Sequence, residues 1–213
     1  MIRIPASPEP ANFAANVRAP GRAFLRMTPR PTRQDYEKHQ YWRSCLEQLH
    51  NAYGQVCAYS SIWIPTGYSV DHFRPKGRYP NLAYEWSNYR LALDFVNNNK
   101  RDSEVVIDPF VVHNGWFILD SASLWVKPEP TLAEVIKTRV QSSIDVLKLN
   151  HYRLVNVRFQ ILRGYMDGMQ RLESIEQKYP FIASEIKRQG IKTRAQVLAE
   201  NTNGPADTSP PPA

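Results

Sequence analysis

The 213-residue sequence predicts an α+β fold, in which a small mixed core is wrapped by N- and C-terminal helices. Apolar residues recur at helical spacing after residue 32 and again across 131–200. Between these regions, short runs of β-branched and aromatic residues alternate with turn residues, which is typical of strands. With 42% hydrophobic residues, a chain of this length can bury the core of one ordinary domain.

The N-terminal residues 1–31 are rich in proline and arginine, and we expect them to form an extended arm. Residues 32–200 are expected to form the single domain. Its first helix begins at Thr32, whose hydroxyl can cap it together with Asp35, and an apolar stripe continues to Tyr53 before Gly54 ends it. The composition of residues 201–213 predicts a disordered tail.

The middle of the chain predicts the order strand, loop, strand, helix. A turn at Pro65-Thr66-Gly67 precedes a strand over Tyr68 to Phe73. Prolines, a glycine and an asparagine over residues 74–87 favour a loop. A second short strand follows at Tyr89 to Leu93, and a helix begins at Asp94. This unit, at about residues 68–104, is expected to hold any active site.

Further strands and helices are predicted downstream. The strands cover Val105 to Val112, Trp116 to Leu119 and Leu124 to Val126, with a turn at Asn114-Gly115. C-terminal helices fill about 131–200. The first starts with a capping box formed by Thr131 and Glu134, the second covers Tyr152 to Lys178 before Pro180 stops it, and the last covers about 182–200.

The charge distribution favours a polyanionic partner. The chain has 27 basic and 20 acidic residues, a formal net charge of +7 and a pI near 9.5. Residues 137–194 hold 12 basic and 5 acidic residues, whereas 44–136 hold 7 and 10. Basic flanks around an acidic centre fit a divalent cation between phosphate-binding surfaces. The alternative is that the basic helices are ordinary solvated surface.

The remaining composition limits the setting of the protein. Cys45 and Cys57 are the only cysteines, too few for a disulfide framework, so we expect a reducing, cytoplasmic environment. The proline-rich N-terminus lacks the apolar core of a signal peptide, and no apolar run approaches the length of a membrane span. We therefore expect no membrane association.

One group of residues has the chemistry needed to cut a phosphodiester. That reaction needs a general base, a cation to polarise the phosphate, and basic groups to hold the backbone. His72 is a suitable base, and the oxygens of Asp71 and Asn97 are hard ligands that suit Mg²⁺ or Mn²⁺. An Asp-His pair alone is weak evidence, since most such pairs are surface or loop residues. Asparagines also cap helices, so the choice among residues 97–99 stays open.

These residues resemble the motif of the HNH nuclease family. The similar segments are Val70-Asp71-His72-Phe73, then Asn88, then the run from Asn97 to Asp102. The resemblance implies a ββα-metal core, His72 as the general base, and Asp71 and Asn97 as ligands of one catalytic Mg²⁺ or Mn²⁺. It also implies that Asn88 is a structural brace. The nine-residue separation of Asn88 and Asn97 is similar to that in the HNH domain of RNA-guided nucleases.

The resemblance is closest to standalone bacterial HNH nucleases of Septu and retron anti-phage systems. The similar segments are DHFRPK at residues 71–76, YEWSNY at 84–89, the asparagine-lysine run at 97–100, and the helix from Ile144 to Asn150. This implies an endonuclease that cuts DNA, with RNA not excluded, and an ATPase as a possible partner. The alternative is a degenerate HNH protein that only binds nucleic acid or scaffolds such a partner.

Two further expectations concern metal and substrate. Many HNH proteins carry two CxxC knuckles for zinc, but here the first reads Cys57-Ala58-Tyr59-Ser60 and the second falls on Leu93 and Val96. Structural zinc is therefore not expected. Basic side chains near the motif are expected to bind nucleic acid, although each can instead be a solvated charge; they are Arg74, Lys76, Arg78 and Lys100.

Overall fold

The computed structural model describes residues 1–202 and confirms the α+β class, with two small antiparallel sheets. The strands are β1 (Tyr68–His72), β2 (Tyr89–Leu93), β3 (Phe117–Leu119) and β4 (Val126–Pro128). The helices are α1 (Ala19–Met27), α2 (Arg33–Lys38), α3 (Leu46–Ala52), α4 (Asp94–Lys100), α5 (Glu134–Val146), α6 (Tyr152–Met166), α7 (Leu172–Lys178), α8 (Pro180–Gln189) and α9 (Arg194–Thr202). Within these residues, no helix is long and apolar enough to cross a bilayer.

Residues 14–27 are helical, so the prediction of an extended arm over 1–31 is wrong for this part, while residues 1–10 have no regular secondary structure. A π-helical turn, Ala14–Arg18, leads directly into α1. Phe13 and Val17 lie four residues apart and are fully buried, and the Phe13 ring packs edge-on against Trp86 and Tyr89. The prolines do not prevent this helix, since Pro20 lies at the junction where the π-helical turn passes into the first turn of α1.

The first predicted helix exists but is broken. Thr32 and Asp35 form the expected capping box at the start of α2. The helix ends at His39, whose ring stacks on Phe24 at 4.0 Å between centroids. The chain continues as a 3₁₀ turn, Tyr41–Cys45, and then as α3. Tertiary contacts of His39 therefore interrupt a stripe that has helical spacing on both sides.

The central strand, loop, strand, helix order is confirmed. Strands β1 and β2 pair antiparallel, with Tyr68 opposite Leu93 and His72 opposite Tyr89, and α4 begins directly after β2. Ser69 and Asp71 project to one face of β1, and Val70 and His72 project to the other. The loop of residues 73–88 closes the open end of this hairpin. The unit therefore places Asp71, His72 and α4 side by side.

The predicted strand from Val105 to Val112 is wrong, because this segment forms turns. Asp108 organises it: its carboxylate accepts hydrogen bonds from Arg90 at 2.7 and 2.9 Å and from the Phe110 N–H at 3.0 Å. Val105 and Val111 face solvent. Downstream, β3 and β4 form a short antiparallel hairpin close to the predicted positions.

The C-terminal helices exist but differ at their ends. Thr131 binds Glu129 instead of capping α5, which begins without a side-chain cap. Gly168, at a φ of 75°, divides the predicted long helix into α6 and α7. Helix α7 ends at Lys178, as predicted, and Pro180 then starts α8. Of the predicted tail at 201–213, two residues end α9 and residues 203–213 lie outside the described residues.

Candidate active site around Asp71 and His72

His72 ends β1 with its imidazole held in one orientation. Its Nε2 lies 2.9 Å from the carbonyl oxygen of Ala83. A carbonyl can only accept, so Nε2 carries the proton and Nδ1 has a free lone pair. The ring packs edge-on against Trp42 and Tyr89, at centroid distances of 4.8 and 5.2 Å. These contacts fix both the tautomer and the direction of Nδ1.

The Nδ1 atom of His72 is the free end of the ring. Within residues 1–202 it makes no hydrogen bond, so its lone pair is free. Of the whole residue, 7% of the surface is exposed. Burial, together with the nearby charge of Lys76, lowers the pKa of His72 to about 3. The imidazole is thus neutral at physiological pH and able to accept a proton at Nδ1.

Asp71 lies on the opposite face of β1 and is almost fully buried, with 3% of its surface exposed. The Tyr59 hydroxyl donates a hydrogen bond to Oδ2, and Lys100 Nζ lies 3.1 Å from Oδ1. Sequence reasoning did not identify Tyr59, because a tyrosine within a knuckle-like segment carries no recognisable signal. The carboxylate is therefore held in an internal ion pair.

Lys100 is an internal cation, so the expectation that it binds nucleic acid is wrong. Its side chain is fully buried. Besides Asp71, its ammonium group donates to the carbonyl oxygens of His72 and Phe73, at 3.1 and 3.2 Å. All three N–H groups thus have partners. Lys100 joins the end of α4 to the end of β1 and leaves no donor for a phosphate.

Asn88 holds together the two ends of the loop that follows β1. Its Oδ1 accepts from the Arg74 N–H at 2.8 Å, and its Nδ2 donates to the carbonyl oxygens of Arg74 and Leu82, at 3.0 and 3.1 Å. Leu82 precedes Ala83, whose carbonyl accepts from His72. The arrangement is that of a brace, and it also sets the position of the group that orients the imidazole.

Asn97 lies on α4, on the same face of β1 as Asp71. Its Nδ2 donates to Ser69 Oγ at 2.9 Å and to the Val70 carbonyl at 3.4 Å. No donor in residues 1–202 binds its Oδ1. Asn97 and Asn98 both line a pocket, whereas the Asn99 side chain binds the Phe95 carbonyl within the helix. Asn97 therefore offers a free amide oxygen beside Asp71.

The pocket next to this site has a volume of about 820 Å³ and a polar wall. Lys76 lines this pocket. Its ammonium group lies over the rings of Tyr36 and Trp42, at 5.7 and 5.4 Å from their centroids. Two further cations of this pocket, Arg33 and Arg101, were not predicted from the sequence. They come from α2 and from the residue after α4, which are far apart in the chain. The cationic lining residues are Arg33, Lys76 and Arg101, and Asp102 is the acidic one.

Arg74 and Arg78 are solvent-exposed and share one carboxylate. Glu104 binds Arg74 at 3.2 Å and Arg78 at 2.5 Å. The Arg74 guanidinium also lies over the rings of Phe73 and Tyr79, at 5.6 Å from each. One carboxylate cannot neutralise two guanidinium groups, so this edge of the site stays positive. Both arginines are accessible to a phosphate.

The knuckle-like segment keeps its shape without a set of thiolate ligands. The Sγ of Cys57 accepts from the N–H groups of Ser60 and Leu93, at 3.5 and 3.3 Å. Cys57 and Val96 are fully buried, and Leu93 is partly buried against the core. A single thiol, a hydroxyl and two apolar side chains cannot supply a tetrahedral zinc site. Apolar packing and these two hydrogen bonds hold the segment.

The side chains of Asp71 and Asn97 offer oxygen donors, the ligand type that a catalytic divalent ion such as Mg²⁺ prefers. Each Asp71 oxygen accepts one hydrogen bond and retains a lone pair, and Asn97 Oδ1 is free. Residues 1–202 contain no cluster of three or more His, Cys, Asp or Glu residues able to hold a metal. Mg²⁺ commonly uses one or two protein oxygens together with water and substrate phosphate. An ion here would share its carboxylate with Lys100.

Comparisons with known proteins do not identify the chain. No family model matches the sequence, and no curated protein matches it.

Proposed function

We propose that this protein is an endonuclease of the HNH type that hydrolyses phosphodiester bonds of DNA. The observation that carries the proposal is the state of His72. The Ala83 carbonyl keeps its proton on Nε2, so that Nδ1 of the neutral ring has a free lone pair at the end of β1. A neutral imidazole held in one tautomer is suited to deprotonate a water molecule. Lys76, whose charge acts on this imidazole, lines a cationic pocket that is suited to a polyanion.

Each residue has a separate task in this proposal. His72 Nδ1 takes the proton of the attacking water. Lys76 and Arg101 bind the phosphates that flank the scissile bond, and Arg74 and Arg78 bind the backbone further along. Asn88 positions His72 through the loop. The negative charge of a bound phosphate counteracts the effect of Lys76 and raises the basicity of the imidazole.

Asp71 and Asn97 would hold the divalent ion, Mg²⁺ or Mn²⁺. When bound, the ion would stabilise the negative charge on the phosphate and on the departing oxygen. The internal ion pair sets a condition, because Lys100 and the ion compete for the same carboxylate. We therefore expect weak ion binding without substrate, and tighter binding when a phosphate supplies further oxygens.

A second candidate function is nucleic-acid binding without cleavage. The observation that favours it is the closed state of Asp71, whose two oxygens are already bonded to Tyr59 and Lys100. In this case the protein would act as a scaffold for a partner, such as the ATPase implied by the family resemblance. Copurification of the tagged protein with that ATPase tests the partner.

A cleavage assay separates the two functions. Purified protein is incubated with supercoiled plasmid, single-stranded DNA or RNA, with Mg²⁺ or Mn²⁺. Nuclease function predicts nicking or linearisation that His72→Ala abolishes, while His113→Ala, which removes an exposed imidazole outside the site, retains it. Equal cleavage by wild type and His72→Ala would disprove the role of His72. Retarded but intact DNA would favour the second candidate.

A further inference from the structure

A second surface, formed by the β3–β4 hairpin and the start of α6, exposes three aromatic rings. Trp125 is 51% exposed, Tyr152 69% and Phe159 45%. Most large apolar side chains of the described residues are buried, so three exposed rings on one surface need an explanation. None of the three belongs to the site around His72.

These rings line two pockets that adjoin each other. Trp125 and His151 line the first, of about 760 Å³, and Tyr152 and Phe159 line the second, of about 690 Å³. Leu124, the neighbour of Trp125 in the chain, lines the second pocket. Sequence neighbours in two segments, 124–125 and 151–152, therefore line the two pockets, which lie close together.

Cations are interleaved with the rings. Lys148 lines the first pocket, and its ammonium group has no ion-pair or hydrogen-bond partner in residues 1–202. Arg153 lines the second, also without a carboxylate partner in that range, and its guanidinium lies 5.8 Å from the Phe95 ring and 6.0 Å from the Tyr152 ring. Lys127 and Lys137 add positive charge, although each is paired with a carboxylate.

Buried polar contacts hold this surface in place. The fully buried Arg158 donates to the carbonyl oxygens of Leu124 and Leu149, at 2.9 and 2.6 Å. The Asn150 side chain binds the N–H and the carbonyl oxygen of Val126, at 2.7 and 2.9 Å. The loop that carries Trp125 is thus fixed to the segment before α6. Because this surface is already ordered before a ligand binds, binding costs little conformational entropy.

We propose that this surface binds single-stranded nucleic acid, with unpaired bases stacked on Trp125, Tyr152 and Phe159. Lys148 and Arg153 bind the phosphates between them. Exposed ring faces next to unpaired cations are the features by which proteins hold single strands, whereas paired bases offer no free face to such rings. The inference names the form of substrate for the proposed nuclease, and its biological meaning rests on that function.

Helix α4 connects this surface to the site around His72. Phe95, near the start of α4, packs against the His151 ring at 4.7 Å and receives the Arg153 guanidinium. Asn97 on this helix and Arg101 directly after it line the pocket that contains Lys76. One helix therefore supports both surfaces, and a strand bound at the second can extend toward the first.

Fluorescence anisotropy with a labelled oligothymidylate measures this binding. The titrations use the His72→Ala protein in EDTA, so that binding is recorded without cleavage. We expect Trp125→Ala and Tyr152→Ala each to weaken binding about tenfold. Lys148→Gln and Arg153→Gln should each lower the slope of log affinity against log salt concentration by about 0.7. Met27→Ala and Arg43→Gln, which alter exposed side chains outside both pockets, serve as matched controls.

Each result of these titrations either supports or overturns the proposal. Single strands that bind more tightly than the duplex, with losses confined to the surface variants, support the proposal even if the protein cleaves nothing. Unchanged affinity of the double variant Trp125→Ala/Tyr152→Ala for the oligothymidylate would overturn the proposal. It would indicate that this surface binds a protein partner instead. Equal weakening for polyphosphate, which has no bases, would also overturn it, because the rings would then not be stacking on bases.

Discussion

At the level of single residues, the internal ion pair between Asp71 and Lys100 has the largest effect on the candidate site, because it occupies the carboxylate that would bind a metal ion. A buried carboxylate needs a compensating charge, and Lys100 supplies it from within the protein. The Tyr59 hydroxyl completes the arrangement. The candidate metal ligand is therefore also a structural residue, and substitution of either partner has two effects that must be measured separately.

The substitution Lys100→Met is expected to lower the free energy of unfolding by about 3–5 kcal/mol, because it leaves Asp71 buried and unpaired. Urea denaturation measures the change. Adding Asp71→Asn should recover much of the loss, since the uncompensated charge is then removed. Arg101→Met, an exposed neighbour on the same turn, should change stability by less than about 0.5 kcal/mol. A similar small effect for Lys100→Met would disprove the ion-pair argument.

His72 should make the metal-free protein less stable in acid. Its pKa is about 3 in the folded protein and 6.5 when unfolded, so the unfolded chain binds the proton more readily between these values. The contribution of neutral His72 is complete above pH 6.5 and is lost as the pH falls toward 3. The His72→Gln variant should lose less stability than wild type between pH 7 and 4.5 in EDTA. His113→Gln should behave like wild type.

At the level of elements, the loop between β1 and β2 does more than connect two strands. Asn88 closes it with three hydrogen bonds, and Ala83 within it orients the imidazole. A loop of this length would otherwise be mobile. The hydrogen bonds of Asn88 therefore make this loop an ordered part of the candidate site.

Asn88→Ala is expected to reduce the rate of cleavage more than the affinity for DNA, because it releases Leu82, the neighbour of the Ala83 carbonyl that orients His72, and leaves phosphate-binding side chains in place. It should also lower the free energy of unfolding by about 1–3 kcal/mol, since buried backbone groups lose their partners. Parallel cleavage and anisotropy measurements separate the two effects. Asn81→Ala, an exposed asparagine of the same loop, is the control. Equal losses of rate and affinity would contradict a positioning role.

Helix α1 packs against the rest of the protein at Gly21. A Cβ at this position would lie 2.1 Å from Cγ of Tyr84, far inside van der Waals contact. Gly21→Ala should therefore displace α1 and lower the free energy of unfolding by about 1–3 kcal/mol. Gly77→Ala meets nothing within 4 Å and should have little effect. Thermal unfolding of both variants measures the difference, and equal melting temperatures would show that α1 does not pack as described.

At the level of the whole molecule, two cation-bearing surfaces both involve residues of α4. The pocket beside His72 draws its cations from α2, the loop after β1 and α4, while the second surface draws its cations from β4 and the segments around α5 and α6. This agrees with the basic flanks seen in the sequence. The acidic residues of the centre are partly used internally, since Asp71 and Asp108 pair with Lys100 and Arg90. The surface is accordingly more positive than the central segment alone indicates.

Some features of this protein follow from short stretches of its sequence. The bounds of β1, β2 and α4, and the capping box of α2, were predictable because they depend on alternation, turn residues and caps within a few residues. The Asp-His pair and the following asparagines were recognisable for the same reason. Local chemistry alone determines these features.

Other features were decided only by tertiary structure. Burial of Lys100, the role of Tyr59, the packing of the N-terminal helix and the irregular path of residues 105–112 depend on partners far away in the chain. Lys100 has the pattern of a surface lysine, and 29 residues separate it from Asp71. Whether a charge faces water or a buried counter-charge depends on which segments meet, because the free energy of burying a charge is set by its surroundings and not by its neighbours in sequence.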